Sequence, residues 1–351
     1  PLSEASGVVA QGWGEPGTIY LQDSRLVVET LTTTQEAFYY GFARWAPSQL
    51  TISNAWIRLC ETGFVTTVTN GVLLSGSSAR FDLVTNASFF CGGDLRLADG
   101  ARAYLYCSAT NPAALVSSNV SIEVTAGRTL DIGSNCWIYP VSHNASGGVA
   151  RLAADQLRIA YTNGGINADS RGFRGGLTAG PVTGAGPGAG HNTGGGGYGG
   201  QGGSYSAPWG QTYGTSNTPA MPGSGGGSWD FNGGPGGGCV WVTVTRGAQV
   251  EGSLTARGGN GQSSASGGSG GSIFLWCRTL SGSGVICADG GSAPNNGSGG
   301  GGRIAIYYST DAFLGTLSAT NGTASSGPKT GGAGTIVKVR IPLPGTVYVV
   351  R

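Results

Sequence analysis

The sequence predicts an all-β fold of stacked coils, with a long glycine-rich insertion in the middle of the chain. The main observation is a block that recurs near the C-terminus: two glycines, an alternating apolar strand and a second short strand. The leading residues of the blocks are 33, 31 and 32 residues apart; they are Val240, Ile273, Ile304 and Ile336. The second strands, at 254–256, 286–288 and 317–319, keep the same phase. A period of this length that carries strands and no helical pattern predicts a β-solenoid.

Residues 1–165 show strands at closer spacing, which predict the N-terminal coils. The first two are at 18–21 and 26–28, and later strands such as 56–59 and 103–106 alternate apolar and polar residues. Gly, Asn or Asp stands at the corners, which suits coils that bury each other's inward side chains. A β-sandwich also has short strands and turns, but it does not predict a 32-residue repeat. Residues 239–351 are predicted to be the C-terminal coils.

Residues 166–238 are predicted to be an insertion that packs on one face of the solenoid. Gly-rich runs such as 184–190 and 194–200 alternate with aromatic residues. A structureless loop of this length is improbable inside a compact domain, so the aromatic side chains are expected to fix it in place. Glycine permits close backbone approach, and extended polyproline-II-like runs are compatible with this composition.

Composition excludes several classes of function. Glycine supplies 69 of 351 residues, charged residues are only 10%, and the net charge is +2. Because Lys and Arg do not cluster along the chain, nucleic-acid binding is not expected. The chain has no signal peptide and no run of 18 apolar residues, so no membrane insertion is predicted. It begins at Pro1 with a single methionine, Met221, which favours a processed form or part of a longer chain.

No residue pattern indicates catalysis, a metal site or a cofactor. The seven cysteines include no CxxC pair, so we expect either thiols buried inside the coils or one or two disulfides. His143 and His191 are in neither a metal-binding spacing nor a Ser/His/Asp-like pattern. The carboxylates are dispersed, although stacking could bring Asp289 to a corner shared with Arg257 and Thr320. The sequence therefore favours a non-enzymatic protein.

The glycine-rich segments, with their order of Gly runs before Tyr198, Ile273 and Arg303, resemble the Gly-rich parallel β-helix modules of large secreted and surface proteins. The resemblance is best over residues 160–340. It implies a right-handed parallel β-helix and an extracellular or cell-surface location. It implies no particular reaction, because such folds serve as adhesins, fibre shafts and polysaccharide enzymes alike.

The two ends of the chain carry similar strand blocks, which predict head-to-tail self-assembly. Residues 17–21 resemble 334–338, and no charged capping segment protects either end. The predicted interface consists of Ile19, Tyr20, Leu21, Val27 and Val28 at the start, with Ile336, Val337, Val339, Val347, Tyr348 and Val349 at the end. A contact of this kind that does not close on itself builds a filament. We therefore expect a structural subunit of an extracellular fibre.

A second function is compatible with the sequence. The aromatic residues of the insertion could stack on sugar rings and form the face of an adhesin, or they could hold the insertion on the solenoid; they are Tyr198, Tyr205, Trp209 and Tyr213. Glycans are accordingly the alternative partner. A polysaccharide-degrading enzyme is a third alternative.

Overall fold

The computed structural model describes residues 18–32, 37–109, 120–177, 181–204, 208–324 and 330–342. A 3₁₀ turn, Ser24–Leu26, separates the first two strands. The strands that precede the insertion are β1 (Thr18–Leu21), β2 (Thr30–Leu31), β3 (Ala37–Tyr40), β4 (Arg44–Trp45), β5 (Leu50–Ser53), β6 (Trp56–Leu59), β7 (Val65–Val68), β8 (Val72–Ser75), β9 (Arg80–Leu83), β10 (Ser88–Cys91), β11 (Leu95–Ala98), β12 (Arg102–Cys107), β13 (Val120–Ala126), β14 (Thr129–Ile132), β15 (Trp137–Ser142), β16 (Val149–Ala154), β17 (Gln156–Ile159) and β18 (Gly165–Asn167).

After the insertion the same type of strand continues. These strands are β19 (Cys239–Val244), β20 (Gly247–Val250), β21 (Ser253–Thr255), β22 (Ser272–Trp276), β23 (Thr279–Gly282), β24 (Val285–Cys287), β25 (Arg303–Tyr308), β26 (Thr310–Phe313), β27 (Thr316–Ser318) and β28 (Thr335–Arg340).

The strands form three parallel sheets, and each coil contributes one strand to each sheet. The first sheet has the order β1-β3-β6-β9-β12-β15-β18-β21-β24-β27. The second sheet runs β2-β5-β8-β11-β14-β17-β20-β23-β26, and the third runs β4-β7-β10-β13-β16-β19-β22-β25-β28. This is a parallel β-helix, as the sequence predicts. The ten strands of the first sheet, at about 4.8 Å each, give a rod on the order of 50 Å long.

Strand register confirms the repeat that the sequence shows. Val240, Ile273, Ile304 and Ile336 are successive partners in the third sheet. In the first sheet Ile166 pairs with Leu254, Leu254 with Ile286, and Ile286 with Leu317. Equivalent residues therefore stand above one another in columns. Inward columns of Leu, Ile, Val and Ala make up one continuous core that runs through both halves of the solenoid.

Two boundaries differ from the sequence-based expectation. The predicted strand at 26–28 is wrong, because the Asp23 side chain accepts a hydrogen bond from the Arg25 N–H and starts the 3₁₀ turn instead. The predicted start of the insertion at residue 166 is a few residues early, because β18 is a strand of the first sheet. The insertion leaves the helix after Ala168, whose carbonyl oxygen accepts from the returning Gly238 N–H.

Glycine-rich legs connect the first sheet to the third and form a second hydrogen-bonded layer beside the coils. Each of the loops 256–271, 288–302 and 319–334 runs outward from the first sheet and returns to the third. Donors recur every third residue: Gly267 and Gly270 bond to Gly297 and Gly300 of the next coil. Opposite legs bond to each other as well, as in Gly268 N–H to Gly259 O. A period of three without internal hydrogen bonds is the geometry of polyproline-II helices.

The insertion extends the same arrangement with further legs. Gly223 and Gly226 donate to Gly237 and Gly234, and Gly196 donates to Gly267. We call the legs of the loops and of the insertion together the glycine bundle. The expectation of extended glycine runs that pack closely is confirmed.

The bundle depends on residues without a side chain. A Cβ at Gly299 would lie closer than 3.0 Å to the Gly268 carbonyl oxygen, which backbone atoms do not permit without a shift. At Gly247, in β20, the nearest atom to an added Cβ is Thr279 O at 3.8 Å. The two sites differ in space and not in sequence composition.

We expect Gly299→Ala to destabilise the protein by about 1–3 kcal/mol, because an added methyl overpacks the bundle. Gly247→Ala is the matched control and should change the free energy of unfolding by less than about 0.5 kcal/mol. Thermal unfolding followed by circular dichroism compares the two. Equal losses would show that the legs are not in close contact.

The seven cysteines are free thiols, and all except Cys60 are buried. The interpretation as buried thiols is therefore the one that the structure supports. Burial raises the pKa of Cys107 and of Cys277 to about 12 and that of Cys287 to about 11. The thiolate is the nucleophile, so these groups are doubly protected, by burial and by protonation.

In the native protein at pH 8 we expect a thiol reagent to modify Cys60 and to leave the other six cysteines unmodified. Peptide mass spectrometry after labelling with and without denaturant identifies the residues. Cys60→Ser is the control and should abolish native labelling. Rapid native labelling at Cys107 or Cys277 would contradict the packing described here.

Candidate binding and assembly surfaces

Tyr198, predicted to stack on sugars, is fully buried and holds the insertion on the outer surface of the third sheet. Its hydroxyl lies 2.7 Å from the Ser272 Oγ on β22. The Ser272 hydroxyl also bonds the backbone of Met221. Burial raises the pKa of Tyr198. The glycan-stacking prediction is wrong for this residue, because strand and insertion cover its ring completely.

Tyr213 belongs to the same contact. Its ring centroid is 4.7 Å from that of Tyr198, and its hydroxyl donates to Pro222 O at 2.5 Å. Arg303, on β25, donates to Tyr213 O at 2.9 Å and to Tyr198 O at 3.3 Å, and its guanidinium lies 5.3 Å from the Tyr198 ring centroid. Both tyrosines therefore anchor the insertion, which is the alternative role that the sequence allows.

Trp209 is exposed, at the distal end of the glycine bundle. The preceding Pro208 carbonyl accepts from His191 N–H, and nearby legs bring Leu177, Trp229 and Phe231 to the same end. These are four of the twelve large apolar side chains that are exposed in the described part of the chain. For Trp209 the stacking prediction stays a prediction. Tyr205 lies outside the described residues.

The start of the solenoid leaves the core partly uncovered. Leu21 follows the column Tyr40, Leu59 and Leu83, which are almost fully buried, but it is itself only half-buried. Val27 also packs against the core and is half-buried, whereas Tyr20 and Val28 are exposed. For Ile19 the structure gives the backbone pairing with Phe38.

The end of the solenoid is open in the same way. Ile336 continues the column of Val240, Ile273 and Ile304, which are all fully buried, but it is 43% exposed. Val337 and Val339 are half-buried, and Leu314 nearby is 87% exposed. Val347, Tyr348 and Val349 lie outside the described residues.

The two similar strand blocks do not occupy equivalent positions. β1 belongs to the first sheet, whereas β28 belongs to the third. The expectation that the chain begins and ends on strands of one type is therefore wrong; apolar alternation is common to all three sheets and does not distinguish them. Among the described residues, the strands at the start edges are β1, β2 and β4, and those at the end edges are β27, β26 and β28.

The outer face of the first sheet carries arginine and aromatic side chains from successive coils, which the sequence analysis did not identify. We call it the arginine face; its residues are Trp56, Arg58, Arg80, Asp82, Arg102, Tyr104, Tyr106, Trp137, Tyr139 and Arg171. Register places Trp56, Arg80, Arg102 and Trp137 in one column and Arg58, Asp82, Tyr104 and Tyr139 in the next.

The side chains of this face stack along the rod. The Arg80 guanidinium is 4.3 Å from the ring centroid of Trp56 and 4.3 Å from that of Tyr104. The Tyr104 and Tyr139 rings are stacked at 4.7 Å, and the Arg171 guanidinium is 4.4 Å from the Tyr139 centroid. These separations match the rise of about 4.8 Å per coil. Cation–π contacts of this kind stabilise each member of the column.

Asp82 is the acidic member of the face and is fully buried. It accepts hydrogen bonds from Arg80 at 2.8 and 2.9 Å and from the Trp56 indole at 3.1 Å. Burial raises the pKa of Asp82, and the bonds from Arg80 and Trp56 oppose that rise. Arg80 also donates to the Tyr106 hydroxyl at 2.9 Å. Its donors are thus used within the face.

The other three arginines have no such partner. Within the described ranges, Arg58, Arg102 and Arg171 form no ion pair with a carboxylate, although Glu61 follows β6 next to Cys60. The Nε of Arg171 is buried without a hydrogen-bond partner. Arg58, Arg80 and Arg102 are 22 residues apart, a shorter coil period that could have revealed the face. The expectation that basic residues do not cluster holds along the chain and fails in space.

The histidines and acids show no arrangement for catalysis. His143 Nδ1 accepts from Ser146 N at 3.1 Å in a local turn, and His191 Nδ1 lies 2.7 Å from Thr183 Oγ1. Asp289 does meet Thr320 at a corner, where it accepts its N–H at 2.7 Å, while Arg257 pairs with Asp169 at 3.5 Å. No group of three or more His, Cys, Asp or Glu residues in the described part of the chain could hold a metal ion.

Comparison with known proteins gives no match. No protein-family model, curated protein or solved structure matches this chain. Among the described residues no helix is long and apolar enough to span a membrane.

We expect Arg80→Ala to cost about 2–3 kcal/mol of folding free energy, because it leaves the buried Asp82 carboxylate without its cation and removes two cation–π contacts. Arg96→Ala is the matched control: Arg96 is 62% exposed and lies 3.6 Å from Asp131 on the second sheet. Exposed pairs contribute little, so its loss should stay below about 0.5 kcal/mol. Urea unfolding measured by tryptophan fluorescence tests the difference, and equal losses would contradict it.

Proposed function

We propose that this protein is a structural subunit of an extracellular fibre that grows by stacking solenoids end to end. The observation that carries the proposal is the position of Ile336. It stands in an inward column whose other members are fully buried, yet it is 43% exposed because the described part of the chain places no further coil over it. Another solenoid seated on this end would complete the column.

Strand direction makes the two ends complementary. Every sheet is parallel, so the end edge of one copy and the start edge of another run in the same direction. The first sheet would continue from β27 to β1, the second from β26 to β2 and the third from β28 to β4. The edge groups are suited to this: Thr335 N–H bonds to Gly302 O, which leaves the neighbouring Ile336 N–H directed outward. Main-chain pairing would give affinity, and side-chain columns would give register.

The contact would be heterologous and would repeat by translation along the rod, so it would not close into a ring. Apolar exposure supports this choice of surface. Tyr20, Leu26 and Val28 are exposed at the start, and Leu314 and Ile336 at the end. An extracellular location remains part of the proposal and rests on the resemblance to Gly-rich β-helix modules.

The adhesin alternative, in the form that the sequence suggests, receives less support. Of its four aromatic residues, Tyr198 is buried and Tyr213 is bonded to the insertion itself. Trp209 remains exposed.

At rising protein concentration we expect negative-stain microscopy to show fibres with an axial repeat of about 50 Å, which is the length of ten coils. Ile336→Glu should abolish fibre growth, since a carboxylate cannot enter the core of the next coil. Sedimentation velocity measures the loss of the large species.

Phe90→Glu is the control, because Phe90 is 44% exposed on the flank of the third sheet, away from both ends. It should leave assembly unchanged. Wild-type protein that sediments as a monomer at every concentration would overturn the proposal, and so would equal effects of the two substitutions.

A further inference from the structure

The arginine face combines positive charge with a rigid arrangement of donors. It carries four arginines against one carboxylate, and that carboxylate, Asp82, is buried and bonded to Arg80. Arg102 is exposed, and Arg58 and Arg171 are half-buried. The free guanidinium groups therefore form a cationic strip along the rod, on a protein whose net charge is only +2.

A second observation points to a missing acceptor. The Arg171 Nε is buried and has no hydrogen-bond partner, although its guanidinium is fixed over the Tyr139 ring. A buried charged donor without an acceptor is costly, so such groups indicate an absent partner. An acceptor carrying negative charge would satisfy it and would pair with the neighbouring free arginines.

The aromatic rings determine which anion fits. Tyr104 has Arg80 on one side and Tyr139 on the other, and Tyr139 has Tyr104 and Arg171. With their faces occupied, these rings offer edges and hydroxyl groups to a ligand. Burial raises the pKa of Tyr106 and of Tyr139, so both hydroxyls remain protonated and able to donate at neutral pH.

Nucleic acid is disfavoured by this geometry. Binding to single strands needs open ring faces on which bases stack, and a groove with many cations along the backbone. Carboxylates, by contrast, accept two parallel hydrogen bonds from one guanidinium, and hydroxyl-rich rings bond to tyrosine hydroxyls.

We propose that the arginine face binds a saccharide chain that carries carboxylate groups, along the rod axis. Arg58, Arg102 and Arg171 pair with carboxylates on successive sugar units, and the tyrosine hydroxyls bond to sugar hydroxyls between them. This inference does not depend on fibre assembly, because the face lies on the flank of a single molecule.

Isothermal titration of the full chain with an oligogalacturonate hexamer tests the proposal. We expect binding that weakens with added salt, since ion pairing is screened. The fully methyl-esterified hexamer, which lacks the charge and keeps the sugar units, should bind at least about tenfold more weakly. Absence of binding to the hexamer, or equal binding of its methyl ester, would overturn the proposal.

Variants locate the site. The triple variant R58Q/R102Q/R171Q should lose at least about tenfold in affinity, and R102Q alone, at an exposed position, should weaken binding with the fold intact as judged by circular dichroism. The matched control R96Q/R158Q/R246Q removes three exposed arginines of the second sheet and its corner, and it should bind as the wild type does. Equal loss in the control would refute the site. Tighter binding of an oligothymidylate of similar charge than of the hexamer would refute the ligand class.

Discussion

The structure depends on one constraint, the backbone hydrogen bonding of each coil to the next in fixed parallel register. Register decides which residues stand above one another, and all other features follow from the columns that result. A column such as Val240, Ile273 and Ile304 becomes core, because each residue meets its own kind at the strand spacing. A column such as Arg80 and Arg102 becomes a cationic strip for the same reason. The fold therefore repeats chemistry along its axis wherever the sequence repeats it along the chain.

The glycine bundle applies that constraint to a different backbone. Polyproline-II helices have no internal hydrogen bonds, so each N–H group must find a partner in a neighbouring leg. The legs must then approach so closely that a Cβ at a position such as Gly299 has no room. This accounts for glycine as the dominant residue beside the coils. Where the bundle meets the third sheet, hydrogen bonding between legs is not available, and Tyr198 and Arg303 supply the contact through side chains.

The sequence predicts the C-terminal coils well because their loops have equal lengths, so the period of about 32 is visible in the leading residues. In the N-terminal half the coils are shorter, with 22 residues between Arg58, Arg80 and Arg102, and the arginine face was missed for that reason. The orientation of Tyr198 depends on how legs from distant coils pack around it, which no local pattern encodes. The similarity of β1 and β28 was misleading because alternation records burial and not the sheet to which a strand belongs.

End-to-end stacking and binding along the flank reinforce each other physically. An open coil exposes core residues at each end of a rod whatever its length, so stacking copies lowers the exposed apolar area per molecule. Stacking in register also continues the columns of the first sheet from one molecule to the next, which repeats the arginine face about every 50 Å along the fibre. A long acidic polysaccharide that contacts one face is then close to the next, and the second contact is effectively intramolecular. Weak pairing at each arginine becomes strong attachment of a fibre, because the register that builds the core also aligns the sites.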